Sequence, residues 1–303
     1  MYSRWFNLAV LGFWLLMMSW LVRAKILPSL VVGEPPTYRT ILAQDESPDT
    51  PVSWSIWIND APLGWAEAQN RVLDNGVTEM QSHVRLTRLP LAEIVPGWMN
   101  SLLKLLSGPD DWQNLQLAVD AQSSLEIDPL GRPIGIYSRA LLGDEDVLPE
   151  KSRIDGQLVP GAVQITLQGT FEGSQLKLKV RTGQMIYNTT AYLPPNALMG
   201  DALAPQSRLP DLRVGQTWTM PVYSPLRPPT DPVELLQATV ERREPILWRE
   251  HVVSTYLVVF RNDPGEELSG NQTARAKAWV HSDGTVLKQE INLMSAKLMF
   301  ERM

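Results

Sequence analysis

The sequence predicts a mainly β protein: a curved antiparallel sheet, or half-barrel, with one short amphipathic helix, behind an N-terminal transmembrane helix. Three observations lead to this fold class. The 24 prolines and 19 glycines divide the chain into short apolar runs, which favours sheets joined by turns over a helical bundle. Residues 163–180 alternate apolar and polar side chains, as half-buried strands do. Residues 5–22 are apolar apart from Asn7 and Ser19.

The apolar stretch 5–22 is predicted to be a membrane anchor. As a helix it covers roughly 27 Å, close to the hydrocarbon thickness of a bilayer, and Trp5 and Trp20 lie near its ends, as interfacial aromatic residues do. A cleaved signal peptide is the alternative, but the run is long and no Ala-x-Ala site follows it. Basic residues flank both ends. Because long trailing domains cross regardless of charge, we expect a cytoplasmic N-terminus and a main domain in the periplasm or otherwise outside the cytoplasmic membrane.

Charge and composition exclude several classes of protein. Residues 1–25 hold three of the 27 basic side chains and none of the 33 acidic ones, so the remainder carries a net charge of −9. An acidic body is repelled by phosphates, so no nucleic-acid partner is expected. Without cysteine the chain has no disulfide, thiol nucleophile or thiolate metal site, and no cofactor is expected.

The chain divides into an anchor (1–25), a proline-rich linker (26–52) and a β-rich envelope domain (53–303). The linker has five prolines and no sustained period. A second proline-rich break at 193–213 interrupts the strand pattern, which indicates that the envelope domain could consist of two half-barrel units divided near that break.

Strands are predicted from alternation and turn signals along the whole envelope domain. Turns are expected at 59–64, at Asn75-Gly76 as a type I′ hairpin, at 243–250 and at Asp283-Gly284. Residues 251–261 are apolar on both faces, which predicts a central strand. The predicted strands cover 53–58, a run from 65, 78–86, 117–127, 134–141, 163–171, 176–181, 184–192, a run from 215, 233–242, 251–261, 274–281, 285–293 and 296–302.

The period becomes helical at 96–107, before Gly108-Pro109. A curved sheet leaves a concave apolar face, and this helix is predicted to cover it as a plug. The alternatives are a helix that touches the membrane and a lid over a ligand cleft. The candidate apolar surface for a ligand or partner consists of Trp98, Met99, Leu102, Leu105 and Leu106.

No catalytic, cofactor or metal site is predicted. His83, His251 and His281 are far apart and lack metal-site spacing, and the first and last of these are predicted to be surface histidines. The chain has no Gly-x-Ser-x-Gly elbow, P-loop or dinucleotide fingerprint. The acidic loop at 143–146 matches no calcium-loop spacing and is expected to be solvated.

Two segments resemble a known family. Residues 54–86, WSIWINDAPLGWAEAQNRVLDNGVTEMQSHVRL, resemble the opening hairpins of the β domain that precedes the peptidase-like domain in bacterial transglutaminase-like proteins. Residues 274–293, ARAKAWVHSDGTVLKQEINL, resemble its closing hairpin. Both also resemble periplasmic lipoprotein-carrier half-barrels, which cradle acyl chains. Because the family's catalytic domain needs a cysteine nucleophile, the resemblance implies the β module without the enzyme.

These observations predict a membrane-anchored cell-envelope protein with a non-enzymatic binding or scaffolding role. The expected partners are the lipid bilayer, through residues 5–22, and an envelope protein or a lipid-like ligand. The alternative is an envelope hydrolase that acts on a glycan or peptide through scattered carboxylates.

Overall fold

The computed structural model describes residues 4–21, 35–44, 49–90, 116–143, 162–194, 197–224, 227–262, 273–293 and 296–303. Within these ranges the chain forms fifteen strands and two helices. The helices are α1 (Arg4–Leu21) and α2 (Tyr38–Ala43). The strands are β1 (Val52–Ile58), β2 (Ala61–Val72), β3 (Thr78–Pro90), β4 (Gln116–Ile127), β5 (Pro133–Gly143), β6 (Val163–Glu172), β7 (Gln175–Thr182), β8 (Met185–Tyr192), β9 (Gly200–Asp201), β10 (Thr217–Tyr223), β11 (Val233–Trp248), β12 (His251–Asn262), β13 (Ala276–His281), β14 (Val286–Leu293) and β15 (Ala296–Arg302).

These strands form one sheet, in the order β8-β7-β6-β5-β4-β3-β2-β1-β15-β14-β13-β12-β11-β10-β9. Sequence neighbours pair antiparallel from β1 to β8 and from β10 to β15. Two pairings depart from this pattern. β1 and β15 pair antiparallel although they are far apart in sequence, and the short β9 pairs in parallel with its neighbour β10. The predicted mainly β class with antiparallel pairing is therefore confirmed.

Two hairpin turns are shorter than the sequence predicts because non-glycine residues adopt the left-handed region. Asn59 and Asp60 have φ values of 45° and 67°, and Arg249 and Glu250 have φ values of 47° and 67°. Positive φ at both central residues is the geometry of a two-residue type I′ turn. As a result, β2 starts directly after Asp60, and β11 runs almost to the end of the predicted turn at 243–250.

The predicted type I′ turn at Asn75-Gly76 is a different turn. Only Gly76 has a positive φ, 78°, whereas type I′ requires two such residues. The backbone N–H of Leu73 donates to Val77 O at 2.8 Å, and Gly76 N–H donates to Leu73 O at 2.9 Å. The hairpin is therefore closed by a three-residue loop with a left-handed glycine, and the prediction of its type is wrong.

The main hydrophobic core lies on the inner face of the sheet. Trp54, Ile56 and Ile58 of β1 are buried on this face, as their alternation predicts. Phe300 of β15 is the register partner of Ile56, and both side chains are almost fully buried. The pairing of β1 with β15 therefore lies within the main core.

Strand β12 is buried on both faces. Val258 and Phe260 belong to the main core, whereas Leu257 and Val259 pack with Trp279 on the outer face. Because β12 pairs with β11 on one side and with β13 on the other, the predicted central strand is confirmed.

Part of the predicted linker packs against the envelope domain. Thr37 caps helix α2 with a capping box that also uses Thr40, and such reciprocal hydrogen bonds stabilise a helix start. Tyr38 and Ile41 of this helix are buried in the main core. Residues 38–43 are thus structured and attached to the domain.

Helix α1 covers most of the predicted anchor segment, with Phe13, Leu16 and Trp20 about two-thirds exposed. Among the helices that the structure describes, none has both the length and the hydropathy needed to cross a bilayer. Anchoring through residues 5–22 stays a prediction.

Two predicted features lie outside the described residues: the helix at 96–107 and the acidic loop beyond Gly143. All five residues of the candidate apolar surface belong to the first: Trp98, Met99, Leu102, Leu105 and Leu106. The proposed division of the domain near 193–213 also stays a prediction. Limited proteolysis tests that division, and first cuts inside strands would contradict it.

Candidate ligand-binding cavity

The β9–β10 edge of the sheet lies against the inner face of β4 and β5. Ser123 Oγ of β4 donates a hydrogen bond to Asp201 Oδ2 of β9 at 2.7 Å, and the hydroxyl of Tyr223 in β10 donates to Ser138 Oγ of β5. In the strand order these pairs of strands are far apart, so the contacts require the sheet to curl back on itself. The predicted curvature is therefore confirmed.

Small side chains on four neighbouring strands make room for this edge. Ala68, Ser82, Ser123 and Ser138 are successive register partners across β2, β3, β4 and β5. Larger residues in this row would occupy the space that Asp201 uses. The row forms a shallow channel on the inner face, and the β9–β10 edge lies over it.

A cavity of about 110 Å³ remains between the edge and the sheet. Its polar lining includes the hydrogen-bonded group Ser82, Ser123 and Asp201, and also Asn70, Gln206, Ser207 and Arg208. An apolar wall with a few convergent polar groups is the usual construction of a small-molecule site. The apolar wall includes Ile41, Met80, Leu125, Ile136, Leu198 and Met199.

A chain of hydrogen bonds ends on Asp201. Ser82 Oγ and Ser123 Oγ lie 2.6 Å apart, and the backbone N–H of Leu203 donates to Asp201 Oδ1 at 2.9 Å. The residue keeps some contact with solvent, but its carboxyl group is enclosed. Burial raises the pKa of Asp201, and the hydrogen bonds from Leu203 and Ser123 lower it only in part. A protonated carboxyl group can donate a hydrogen bond, which an exposed carboxylate cannot.

Two buried phenols border the cavity. The backbone N–H of Met199 donates to the Tyr38 hydroxyl at 2.6 Å. Burial raises the pKa of Tyr38, and the backbone hydrogen bond with Met199 opposes this effect. Burial also raises the pKa of Tyr223, the charge of Asp201 adds to the increase, and the hydrogen bond with Ser138 opposes it. Both phenols are therefore neutral hydrogen-bonding groups at physiological pH and not phenolate nucleophiles.

His83 and His281, each of which lies beside an aspartate, are outside this cavity. His83 Nε2 is 3.2 Å from Asp120 Oδ1 on the outer face, where Asp120 and Arg139 are also buried. His83 is thus half-buried instead of solvated. His281 is near the predicted hairpin turn, with Nδ1 3.0 Å from Asp283 Oδ1. Among the described residues, no group of three or more His, Cys, Asp or Glu side chains could hold a metal ion.

The residues of the cavity are not those that the sequence predicts as a site. The predicted surface at 98–106 lies outside the described residues. Asp201 lies in the proline-rich break at 193–213, whose sequence is typical of a connection between strands. Two weak signals exist: Asp201 is the only charged residue in the apolar run 198–204, and Ser82 interrupts the apolar face of its strand.

Comparison with known proteins gives a structural neighbour but no family. No family model matches the chain, and no curated protein matches it. A similar solved structure is the crystal structure of a β-barrel-like protein of domain of unknown function DUF1849 from Brucella abortus. It is 9% identical in sequence with a TM-score of 0.46, and the match covers 84% of this chain and 94% of that chain. The resemblance to the β domain of transglutaminase-like proteins stays a prediction.

Proposed function

We propose that this chain is a non-enzymatic binding protein of the cell envelope that holds a lipid-like ligand in the cavity between the β9–β10 edge and β2–β5. The observation that carries the proposal is the arrangement of the cavity itself. It combines an apolar wall with an enclosed carboxyl group, Asp201, that is hydrogen-bonded to Ser123. A ligand with an apolar chain and a hydrogen-bonding head group complements both parts.

The size of the cavity limits how much of the ligand enters. A volume of about 110 Å³ is below the roughly 300–1,000 Å³ of sites that enclose a drug-sized molecule. The proposed ligand therefore inserts one end, and the rest of it lies along the opening. Burial raises the pKa of Asp201, which lowers the cost of protonating this carboxyl group when an apolar chain lies beside it.

The proposal includes attachment to the membrane through residues 5–22. Its support is the exposure of large apolar side chains along α1, such as Phe13, Trp14 and Leu15, which point to different sides of the helix. With a cytoplasmic N-terminus the β domain is outside the cytoplasmic membrane. Reporter-enzyme fusions to residue 303 that are active only outside the membrane test this orientation. Activity of a cytoplasmic reporter at the same position would contradict it.

Photo-crosslinking tests the ligand proposal. Cells that express the full-length chain are given a fatty acid with a diazirine in its acyl chain, and the crosslinked peptides are mapped by mass spectrometry. We expect crosslinks at Met80, Leu125 or Met199. Ala68→Leu adds apolar volume to the cavity and should abolish these crosslinks.

Ala61→Leu is the matched control, because Ala61 lies in the same strand but is exposed. It should leave the crosslinks unchanged. Crosslinks confined to α1, or crosslinks in the cavity that persist in the Ala68→Leu variant, would rule out the proposed site.

A second candidate function, an envelope hydrolase that acts on a glycan or peptide, is favoured by one observation. Asp201 combines a raised pKa with a hydrogen bond to the Ser123 hydroxyl, and perturbed carboxyl groups in clefts occur in active sites. Hydrolysis of an envelope polymer by the full-length protein that Asp201→Asn abolishes would support this function over the binding role.

A further inference from the structure

Strand β8 is an open edge of the sheet. It pairs with β7, and no strand in the part of the chain that the structure describes pairs with its other side. The opposite edge, β9–β10, is packed against the inner face of the sheet, as Asp201 and Tyr223 show. β8 is therefore the edge that a strand from another molecule can reach.

The β7–β8 turn determines which backbone groups of β8 are free. Thr182 and Met185 are register partners across a two-residue turn in which Gly183 has a φ of 58°. The pair that flanks such a turn is hydrogen-bonded, and hydrogen-bonded and non-hydrogen-bonded pairs then alternate along the ladder. The alternation makes Ser174 and Leu193, which continue the register, a hydrogen-bonded pair, and the N–H of Leu193 does donate to Ser174 O at 2.8 Å.

By this alternation Ile186, Asn188 and Thr190 point their N–H and C=O groups away from β7. Their side chains lie on the outer face and are exposed. Natural proteins protect an open edge with charged residues, proline or a bulge. Between Met185 and Tyr192 the strand has no charged residue and no proline, and its register with β7 is continuous. The edge is thus competent for strand addition.

The outer face next to this edge is basic. Lys177, Lys179 and Arg181 of β7 are exposed and lie directly opposite the three β8 residues with free backbone groups. Lys177 Nζ is 2.6 Å from Glu172 Oε2. Within the described ranges, no ion pair is seen for Lys179 or Arg181. A strand added to β8 would lie two strand spacings, about 10 Å, from these backbones, within reach of long basic side chains.

The inner face next to the edge is less polar. Tyr187 and Ala191 of β8 are half-buried against the main core, and Thr189 Oγ1 donates to Thr230 O at 3.2 Å. Every second residue of an added strand would lie beside these side chains. An added strand is therefore favoured if it is apolar on one face and acidic on the other.

An open trough of about 940 Å³ lies over the outer face of β4 to β8 and reaches Asn188 and Thr190 of this edge. Its lining includes Lys177, Lys179 and Asn188 next to the edge and Glu126 on β4, four strands away from β8 in the sheet order. The trough and the cavity that contains Asp201 have different linings apart from Ser124 and Ile136, which border both.

From these features we infer that β8 binds an extended segment of a partner protein that alternates apolar and acidic residues and adds to the sheet as a further strand. Main-chain hydrogen bonds to Ile186, Asn188 and Thr190 supply affinity, and the basic row on β7 selects acidic side chains. The inference is independent of the proposed lipid-like ligand, because it uses the other edge of the sheet.

Fluorescence anisotropy with labelled peptides tests the inference on the full-length protein in detergent. The probe is a ten-residue peptide that alternates valine or threonine with glutamate, and the comparison peptide has lysine in place of glutamate. We expect the acidic peptide to bind at least tenfold more tightly than the basic one. Asn188→Pro removes one free N–H without a ladder hydrogen bond to β7, and it should weaken binding at least tenfold.

Asn188→Ala is the matched control, because it keeps the backbone N–H and should keep the affinity. Lys179→Glu tests the charge selection without a change of backbone and should reduce the preference for the acidic peptide at least tenfold. Equal binding of the two peptides by the unaltered protein, or full binding by Asn188→Pro, would overturn the inference. A dimer of the free protein that Asn188→Pro dissociates would assign the edge to a second copy instead.

Discussion

Replacing Asp201 by asparagine should change how the stability of the protein depends on pH. Asparagine has the same shape, its Oδ1 can still accept from Leu203 N–H, and its Nδ2 can donate to Ser123 Oγ. Ser123 can then donate to Ser82 instead of to the carboxylate. At pH 3, where the aspartic acid is mostly neutral in both states, the variant should lie within about 1 kcal/mol of the unaltered protein.

The difference should grow as the pH rises. The unfolded chain loses its Asp201 proton near pH 3.9, whereas burial raises the pKa of the folded chain above that value. Between the two pKa values the folded state binds one proton more, so its stability falls with increasing pH by at most about 1.4 kcal/mol per pH unit. Above the folded pKa the loss is complete and constant. The asparagine variant lacks this term, so it should become the more stable of the two.

Urea denaturation at each pH unit from 3 to 8 measures the effect, expressed as the free energy of unfolding of the variant minus that of the unaltered protein. Asp283→Asn supplies a control of opposite sign. Burial opposes ionisation of Asp283, but hydrogen bonds from Thr285 N–H and His281 outweigh it and lower its pKa. Its contribution is present above pH 3.9 and is lost at lower pH. A difference for Asp201→Asn that is constant or shrinks with pH would refute the reasoning.

Three further substitutions test the packing. Phe300→Ala should lower the free energy of unfolding in urea by about 3–5 kcal/mol, because the ring is fully buried. Met299→Ala, on the other face of β15, should cost less than half as much. Equal costs would contradict the assignment of faces. Gly64→Ala should cost about 3 kcal/mol, because its Cβ would lie 1.9 Å from a backbone oxygen of β3; an unchanged melting temperature would argue against that approach. If the segment 96–107 is a plug, Leu102→Ala and Leu105→Ala should each cost about 2–5 kcal/mol, whereas unchanged melts with altered hydrophobic-probe binding would indicate a lid.

Strands with local alternation could be predicted from the sequence alone. In β7 the apolar residues Leu176, Leu178 and Val180 alternate with basic ones, and the structure buries the first set and exposes the second. The signal is local because neighbouring residues of a strand point to opposite faces. Within the predicted turn at 243–250, the two-residue form at Arg249 and Glu250 could not be predicted, because neither residue type favours the left-handed region that both adopt.

The cavity could not be predicted because it depends on contacts between distant strands. Ser82 can be assigned to the inner face from its strand pattern, but the sequence does not say that Ser123 is its register partner. Nor does any local pattern indicate that the short β9 brings Asp201 over this pair. A polar residue on an apolar face is the kind of inconsistency that marks functional sites, and its partners become known only from the fold.

The pairing of β1 with β15 has a consequence for how the protein is made. Ile56 is synthesised more than two hundred residues before Phe300, its register partner. At translation rates of 5–20 residues per second, the outer edge of β1 has no native partner for roughly 10 to 50 s after it leaves the ribosome. That edge is apolar and rich in tryptophan, as strands prone to mispairing are. We therefore expect the first strand of the domain to need chaperone protection until β15 has been synthesised.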